Sequence, residues 1–270
     1  MRILVHPGFH KTGTSSMQRG VQARLARLEA HLRFLNTSDL LEATRAARRY
    51  SVRRDPLILS RFAETFAEAL SGIDRADGRA LLMSSEDLSG QIPGANGVEA
   101  YDAAPALLNV ATACLHETFG REAGVKIWFT TRAPEAWTRS AYYQNLRAHR
   151  ITEAFEAYRP RLERAARLTD IVEKVRARLA GRADVYVSAI EDCGTRPLGP
   201  LGDALALLDI PTDGIAPLPA QNVQPEGAVD ALLALNRSDL DETALAEAKR
   251  QRIQSYWRQG RTRRAPPQEA

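Results

Sequence analysis

The sequence predicts an α/β fold in which a central parallel sheet of about five strands is flanked by helices in three layers. Short apolar runs bounded by turn residues recur through the first two thirds of the chain, which is typical of strands buried on both faces. Segments with helical periodicity lie between these runs. Alternation of this kind favours parallel pairing through right-handed crossovers. A length of 270 residues is enough to bury a substantial core.

Five segments are predicted to be strands. Four of them have the apolar pattern of buried parallel strands, namely residues 2–6, 80–84, 125–131 and 184–188. The segment 32–36 has a less regular apolar pattern and is taken as the fifth strand.

Helices are predicted between the strands and after the last one. Phe62, Phe66 and Leu70 recur at four-residue spacing, which marks one face of a helix, and Pro134 is a favoured first helical residue. The predicted helices cover residues 14–30, 56–70, 106–119, 134–147, 161–179, 201–208, 226–236 and 242–257. The segment 85–105 is predicted to be a long loop, and loops of that length are usually functional or mobile.

The domain organisation is predicted to be simple. Residues 1–258 are interpreted as a single α/β domain, and residues 259–270 as a disordered basic tail. A basic run of this kind is usually a solvated tail, so no nucleic-acid partner is expected.

Composition favours a protein that handles anions in a reducing compartment. The formal net charge is +4, and arginine supplies nearly all of the positive charge because the lysines are few: Lys11, Lys126, Lys174 and Lys249. Arginine suits planar contacts with phosphate or sulfate, although genome composition explains this usage equally well. Cys114 and Cys193 are too few for a disulfide framework or a metal cluster. No apolar run has the length of a membrane span, and the first residues lack the pattern of a signal peptide, so a cytoplasmic protein without an integral membrane segment is expected.

A glycine- and hydroxyl-rich loop follows the first predicted strand. Gly8 and Gly13 permit tight turns, and the helix that begins after them presents unpaired N–H groups, which bind anions. Lys11 adds a point charge to the loop. The residues expected to contact a phosphate are Lys11, Thr12, Gly13, Thr14, Ser15 and Ser16.

The spacing of this loop differs from that of the common nucleotide-binding loop. Gly8 and Gly13 match that motif, but Thr14 stands where it has lysine, and Lys11 precedes Gly13 by two positions. The run Lys-Thr-Gly-Thr-Ser-Ser from Lys11 resembles the 5′-phosphosulfate loop of sulfotransferases that use 3′-phosphoadenosine 5′-phosphosulfate (PAPS). The longer run from His6 to Gln18 looks like the bacterial branch of that family, whose acceptors are often carbohydrates or other small hydroxylated molecules. The resemblance implies a P-loop-like fold.

The resemblance also implies a second anion site, because PAPS carries a 3′-phosphate on its ribose. The family pattern for this site is an arginine at the end of a strand and a serine eight residues later, within the next helix. Arg132 follows the predicted strand 125–131, and Ser140 lies within the next predicted helix. Gln144 shares a helical face with Ser140.

The resemblance implies that Lys11 stabilises the leaving oxygen and that no metal is required, with adenosine 3′,5′-bisphosphate as product. The acceptor hydroxyl also needs a general base. Glu86, just after the predicted strand 80–84, is the first candidate, followed by His10 and then His6. Structural roles remain open for each: Glu86 as a helix cap or a partner of Arg132, and His6 as a core histidine.

The predicted activity is therefore transfer of a sulfuryl group from PAPS to a hydroxyl or amine of a small-molecule or glycan acceptor. Its pocket is expected to involve residues 39–70, 85–105 and 194–225. Two alternatives stay open, a P-loop nucleotide kinase or NTPase and a non-catalytic nucleotide-binding relative.

Overall fold

The computed structural model describes residues 1–218, 225 and 227–262, and it contains a five-stranded parallel sheet. The strand order is β2-β3-β1-β4-β5, and every pairing is parallel. The strands are β1 (Arg2–His6), β2 (Leu32–Leu35), β3 (Ala80–Ser84), β4 (Gly124–Thr131) and β5 (Asp184–Ala189). The predicted fold class is confirmed.

Helices cover both faces of the sheet. The longer ones are α1 (Thr14–Gln22), α3 (Leu41–Arg53), α4 (Pro56–Leu70), α5 (Ala104–Phe119), α6 (Pro134–Ala148), α9 (Leu168–Leu179), α11 (Gly199–Leu207), α12 (Ala228–Asn236) and α13 (Glu242–Thr262). Single-turn helices are α2 (Leu25–Leu28), α7 (Phe155–Tyr158), α8 (Glu163–Ala166) and α10 (Ile190–Cys193). No helix in the described part of the chain is both long enough and apolar enough to span a membrane.

Alternate residues of the central strand enter two separate cores, as the two-residue period of a strand requires. Ile3 and Val5 pack into a large core with residues of α3 to α6 and α9. Leu4 packs into a smaller core with residues of α1, α2 and α11. The chain runs from β1 to β2 and β3, which lie on one side of β1, and then to β4 and β5, which lie on its other side. The carboxyl end of β1 is therefore a topological switch point, where such sheets bind ligands.

Two predicted helices are shorter than the sequence suggested. The helix predicted over residues 14–30 breaks at Arg24, whose backbone is not helical and whose guanidinium donates to the carbonyls of Ala216 and Pro217. The helix predicted over residues 161–179 starts only at Leu168, because Arg167 has ψ 63° and separates α9 from the turn before it. In both places the sequence favours a continuous helix, but the backbone of one arginine leaves the helical conformation.

The segment 85–105 is packed into the molecule rather than being an open loop. It contains the 3₁₀ turn Glu86–Ser89, and Leu88 and Tyr101 are buried in the large core. It therefore supplies side chains to a fixed position at the carboxyl end of the sheet.

The last strand was predicted to be buried, and this is wrong. Tyr186 and Val187 of β5 are 38% and 45% exposed, because β5 is an edge strand that its neighbouring helices cover incompletely. At the C-terminal end, α13 continues to Thr262, past the boundary at residue 258 that the sequence suggested. Residues 263–270 of the predicted tail and residue 226 of a predicted helix lie outside the described residues.

Candidate active site

A cavity of about 870 Å³ lies at the carboxyl ends of β1, β3, β4 and β5. It gathers nearly all of the predicted site residues: His10, Lys11, Gly13, Thr14, Ser15, Ser16, Glu86, Arg132 and Ser140. Of the predicted site residues, Thr12 and the third candidate base, His6, do not line it. Segments far apart in the sequence thus converge at the switch point of the sheet.

The loop after β1 is shaped by left-handed backbone conformations. Gly8 and Gly13 have φ 53° and 102°, and Lys11, which is not a glycine, has φ 70°. That region is strained for a residue with a Cβ, and such strain is concentrated at functional sites. The conformation turns the chain sharply between β1 and α1.

The start of α1 offers free backbone donors. The N–H groups of Ser16 and Met17 donate to the carbonyl of Gly13. The N–H groups of Gly13, Thr14 and Ser15 have no acceptor among the described residues. Together with the positive end of the helix dipole they form a site suited to an anion.

The hydroxyls of the loop divide into two groups. Those of Ser15 and Ser16 lie on the cavity wall, and that of Thr14 is buried without a hydrogen-bond partner in the described part of the chain. Thr12 instead donates to the carbonyl of Phe9 at 2.6 Å and bonds to the hydroxyl of Thr130 at 2.9 Å. The expectation that the Thr12 hydroxyl faces a ligand is corrected, because the loop's own structure uses it.

His6 belongs to a buried hydrogen-bonded chain beneath the loop. Its Nδ1 lies 3.0 Å from the hydroxyl of Ser84, its Nε2 lies 3.3 Å from that of Thr130, and its ring stacks on Trp128. Complete burial lowers the pKa of His6 to about 3, so the ring is neutral. It does not line the cavity, and its place as third candidate base is corrected to a core histidine that joins the ends of β1, β3 and β4.

Lys11 faces a concentration of positive charge. Burial lowers the pKa of its ammonium, repulsion from Arg147 and Arg132 lowers it further, and Glu86 opposes the shift. The guanidinium of Arg132 also donates to the carbonyl of Lys11 at 3.3 Å. The cavity therefore holds more positive charge than its own carboxylates offset, which favours an anionic ligand.

One face of α6 forms the opposite wall. Ser140, Tyr143, Gln144 and Arg147 line the cavity at the spacing of a helical stripe. The sequence pattern pointed to Ser140 and Gln144 as residues of the second anion site. Arg147 is the main residue it missed, although its position seven residues after Ser140 was a readable signal. The Nε of Arg147 is buried without a partner among the described residues.

Glu86 is held on the far side of the loop with its carboxylate free. The N–H of Ser85 donates to the carbonyl of His6 at 3.2 Å, and the hydroxyl of Ser89 donates to that of Gly8 at 2.7 Å. Within the described residues, the Glu86 carboxylate makes no hydrogen bond or ion pair, so it neither caps a helix nor pairs with Arg132. A carboxylate in this position is able to accept a proton.

Both ring nitrogens and both backbone polar groups of His10 lie within hydrogen-bonding distance of other residues. Its Nε2 lies 3.3 Å from a carboxylate oxygen of Asp87, and its Nδ1 lies 3.1 Å from the hydroxyl of Tyr101, which also accepts from the His10 N–H. The indole of Trp137 donates to the His10 carbonyl at 2.9 Å. Because both ring nitrogens are engaged, His10 suits the role of bracing the loop better than that of a free base.

The remaining wall is mixed in character. Ile190, Pro200 and Leu218 give it apolar surface, and Glu191 accepts a hydrogen bond from the N–H of Ala133 at 3.0 Å. The structure also shows that no group of three or more His, Cys, Asp or Glu side chains in its described part is arranged to hold a metal ion.

Comparisons with known proteins give one solved structure. No protein-family model and no curated protein matches the sequence. The chain is similar to a sulfotransferase from Alicyclobacillus acidocaldarius at 18% identity and a TM-score of 0.48, over 96% of this chain and 99% of that one. At that identity and TM-score the likeness carries no conclusion about function.

Proposed function

We propose that the protein is a sulfotransferase that moves a sulfuryl group from PAPS to a hydroxyl or amine of a small-molecule or glycan acceptor. The observation that carries this proposal is that one cavity is lined both by the loop around Lys11 and by Arg132 and Ser140. We assign the loop to one anionic group of a ligand and the Arg132 and Ser140 side chains to a second. A donor with phosphate at both its 5′ and 3′ positions needs such a pair.

The residues present fit that donor. The free N–H groups of Gly13 to Ser15, with Lys11 and Ser16, would hold its 5′ end, while Arg132 and Ser140 would hold its 3′-phosphate. The buried Thr14 hydroxyl and the buried Nε of Arg147 have no partner within the described residues. Unpaired buried polar groups are costly, by about 1–3 kcal/mol each, so a polar ligand that bonds to them is favoured.

The chain's own groups then divide the chemistry. PAPS, when bound, supplies an activated sulfuryl group. Lys11 offsets negative charge that develops on the loop side, and Glu86 accepts the proton of the acceptor hydroxyl. Both side chains line the same cavity, and Glu86 is close enough to Lys11 to raise the pKa of its ammonium.

Two alternatives use the same loop. A nucleotide kinase or NTPase would need magnesium-dependent turnover of ATP, and its usual loop has lysine directly after the second glycine, where this chain has Thr14. A non-catalytic relative would bind the nucleotide without transferring sulfate. Both are separated from the proposal by binding and turnover measurements.

The test is calorimetric titration with adenosine 3′,5′-bisphosphate, with ADP and ATP as comparisons. We expect a dissociation constant of about 1–10 μM for the bisphosphate and weaker binding of both other nucleotides. Lys11→Ala and Arg132→Ala should each weaken binding by about tenfold or more, because each removes a cation from the cavity.

Lys174→Ala and Arg139→Ala are matched controls, since both side chains are exposed and pair with surface carboxylates. They should leave the affinity within about twofold. Preference for ATP, or no nucleotide binding, would overturn the proposal. Tight bisphosphate binding without sulfate transfer from PAPS to any of a panel of hydroxylated acceptors would instead favour the non-catalytic relative.

A further inference from the structure

A second cavity, of about 470 Å³, lies along α3 and the start of α4. Its lining is dominated by arginine, and we call it the arginine groove. The lining residues are Glu42, Arg45, Ala46, Arg48, Arg49, Val52, Arg53, Arg61 and Gln91. Five arginines against one glutamate give this groove a strong positive charge.

The charge is concentrated in a stripe along one helix face. Arg45, Arg49 and Arg53 follow one another at four-residue spacing, which brings like charges together and is unfavourable for the helix itself. Arg45 pairs with Glu42 at 2.6 Å, and Arg61 pairs with Glu64 at 3.1 Å. Arg49 and Arg53 have no carboxylate partner among the described residues, so their charge is not offset within the groove.

The arginine groove adjoins the candidate active site through one layer of side chains. Arg48 lies 3.8 Å from Asp87, which in turn lies 3.3 Å from the ring of His10 on the wall of the larger cavity. Gln91 lines the groove and is fixed by its N–H, which donates to the hydroxyl of Ser51 at 2.9 Å. The segment from Glu86 to Gln91 therefore lies between the two cavities, with Glu86 lining the larger one and Gln91 lining the groove.

We infer that the arginine groove binds an acidic carbohydrate, one that bears carboxylate or sulfate groups, as the outer part of the acceptor. Its role as part of the acceptor rests on the proposed function. Guanidinium groups match the planar carboxylate and the sulfate oxygens in pairs of hydrogen bonds. Val52, which is 42% exposed in the groove, offers apolar contact to the faces of sugar rings.

The lining favours a carbohydrate over a nucleic acid. Single-stranded nucleic acid is held by stacking its bases on aromatic side chains as well as by charge. None of the residues that line the arginine groove is aromatic. The groove can thus bind anionic groups, but it has no aromatic surface on which nucleic-acid bases could stack.

The test measures binding of a fluorescent dextran sulfate oligomer by anisotropy, with neutral dextran of equal length and a charge-matched single-stranded oligonucleotide as comparisons. The variant is Arg49→Ala/Arg53→Ala. The control is Arg121→Ala/Arg252→Ala, which removes the same charge from exposed positions outside both cavities. We expect the first pair to weaken dextran sulfate binding about tenfold or more and the control pair to change it less than about twofold.

Calorimetry with adenosine 3′,5′-bisphosphate on the same variants separates this inference from the proposed function. Unchanged nucleotide affinity with lost dextran sulfate binding supports the groove. Loss of dextran sulfate binding in the Arg49/Arg53 variant supports it even if the bisphosphate fails to bind any form of the protein. Equal losses in both double variants, equal or tighter binding of the oligonucleotide, or no binding of dextran sulfate would each overturn it.

Discussion

Lys11 shows how strongly single residues in the cavity depend on their neighbours. Its pKa is lowered by burial first, then by Arg147 and Arg132, and only Glu86 acts in the opposite direction. Anion binding needs the charged form of the lysine. The affinity for an anion is therefore highest below the pKa of Lys11 and declines as the pH rises through that pKa. Because the pKa is lowered, the decline begins at a lower pH than it would for an ordinary lysine.

Arg147→Ala should move that alkaline decline to higher pH. Removing the largest source of repulsion raises the pKa of Lys11, although affinity at neutral pH falls because a cation is lost. The measurement is the affinity for adenosine 3′,5′-bisphosphate as a function of pH, with circular dichroism to verify folding. Arg139→Ala, an exposed site on the same helix, should leave the profile in place. An unmoved decline in Arg147→Ala would mean that Lys11 does not control it.

Glu86→Gln should separate chemistry from binding. The amide keeps the shape of the side chain but cannot accept a proton, so sulfate transfer should fall by about 10²–10⁴-fold. Nucleotide affinity should stay within about twofold or rise slightly, because a negative charge near Lys11 is removed. The readout is formation of adenosine 3′,5′-bisphosphate with a panel of hydroxylated acceptors, and Glu117→Gln is the surface control. Near-normal turnover would eliminate Glu86 as the base.

At the scale of elements, the loop after β1 is fixed by contacts from outside itself. Tyr101, from the segment before α5, and Trp137, from α6, both bond to His10. Burial raises the pKa of Tyr101 well above its ordinary value, so its hydroxyl remains protonated. The left-handed conformation of Lys11 is thus held by neighbouring elements rather than by local preference.

Tyr101→Phe should therefore destabilise the protein. It leaves the N–H and the Nδ1 of His10 without their partner while keeping the ring contact with Phe9, and the expected cost is about 1–3 kcal/mol in the free energy of unfolding. Chemical denaturation measures it. Tyr50→Phe removes a hydroxyl that has no hydrogen bond within the described residues and should cost under about 0.5 kcal/mol. Equal costs in the two variants would contradict the bracing role.

The same contrast explains what sequence reasoning found and missed. Strands 2–6 and 80–84 were predicted with their observed bounds, because each has a short apolar run that is buried on both faces of the sheet. Helix ends were less readable, since contacts such as those of Arg24 with residues 216 and 217 arise only in the folded chain.

Site residues divide in the same way. Lys11, Arg132 and Ser140 follow a strand or lie on a helix at readable spacings, and the fold brings them to one cavity. Their roles remain predictions. Asp87 and Tyr101 belong to the site because they contact the ring of His10, which is distant in the sequence. The Thr12 hydroxyl bonds to that of Thr130, more than a hundred residues away. Spacing along the sequence carries no information on such pairs.

At the scale of the whole molecule, the C-terminal helices support the wall of the candidate active site. The amide of Asn236 in α12 donates to the carbonyls of Leu146, His149 and Ile151. Lys249 in α13 is buried and donates to the first two of these carbonyls at 2.8 and 2.9 Å. These donors satisfy the carbonyl of Leu146 in the last turn of α6, which has no partner within the helix, and the carbonyls of His149 and Ile151 just after the helix.

Lys249→Met should therefore affect both stability and binding. Methionine fills the space of the lysine stem but leaves those carbonyls with fewer donors, so the free energy of unfolding should fall by about 1–3 kcal/mol. Because Arg147 follows Leu146 directly, affinity for adenosine 3′,5′-bisphosphate should also fall, by about threefold. Denaturant unfolding and calorimetry give the two quantities. Lys174→Met, which removes an exposed ion pair with Asp102, should cost less than about 1 kcal/mol and leave affinity unchanged. A stability loss without any loss of affinity would mean that the C-terminal helices stabilise the fold without positioning the wall formed by α6.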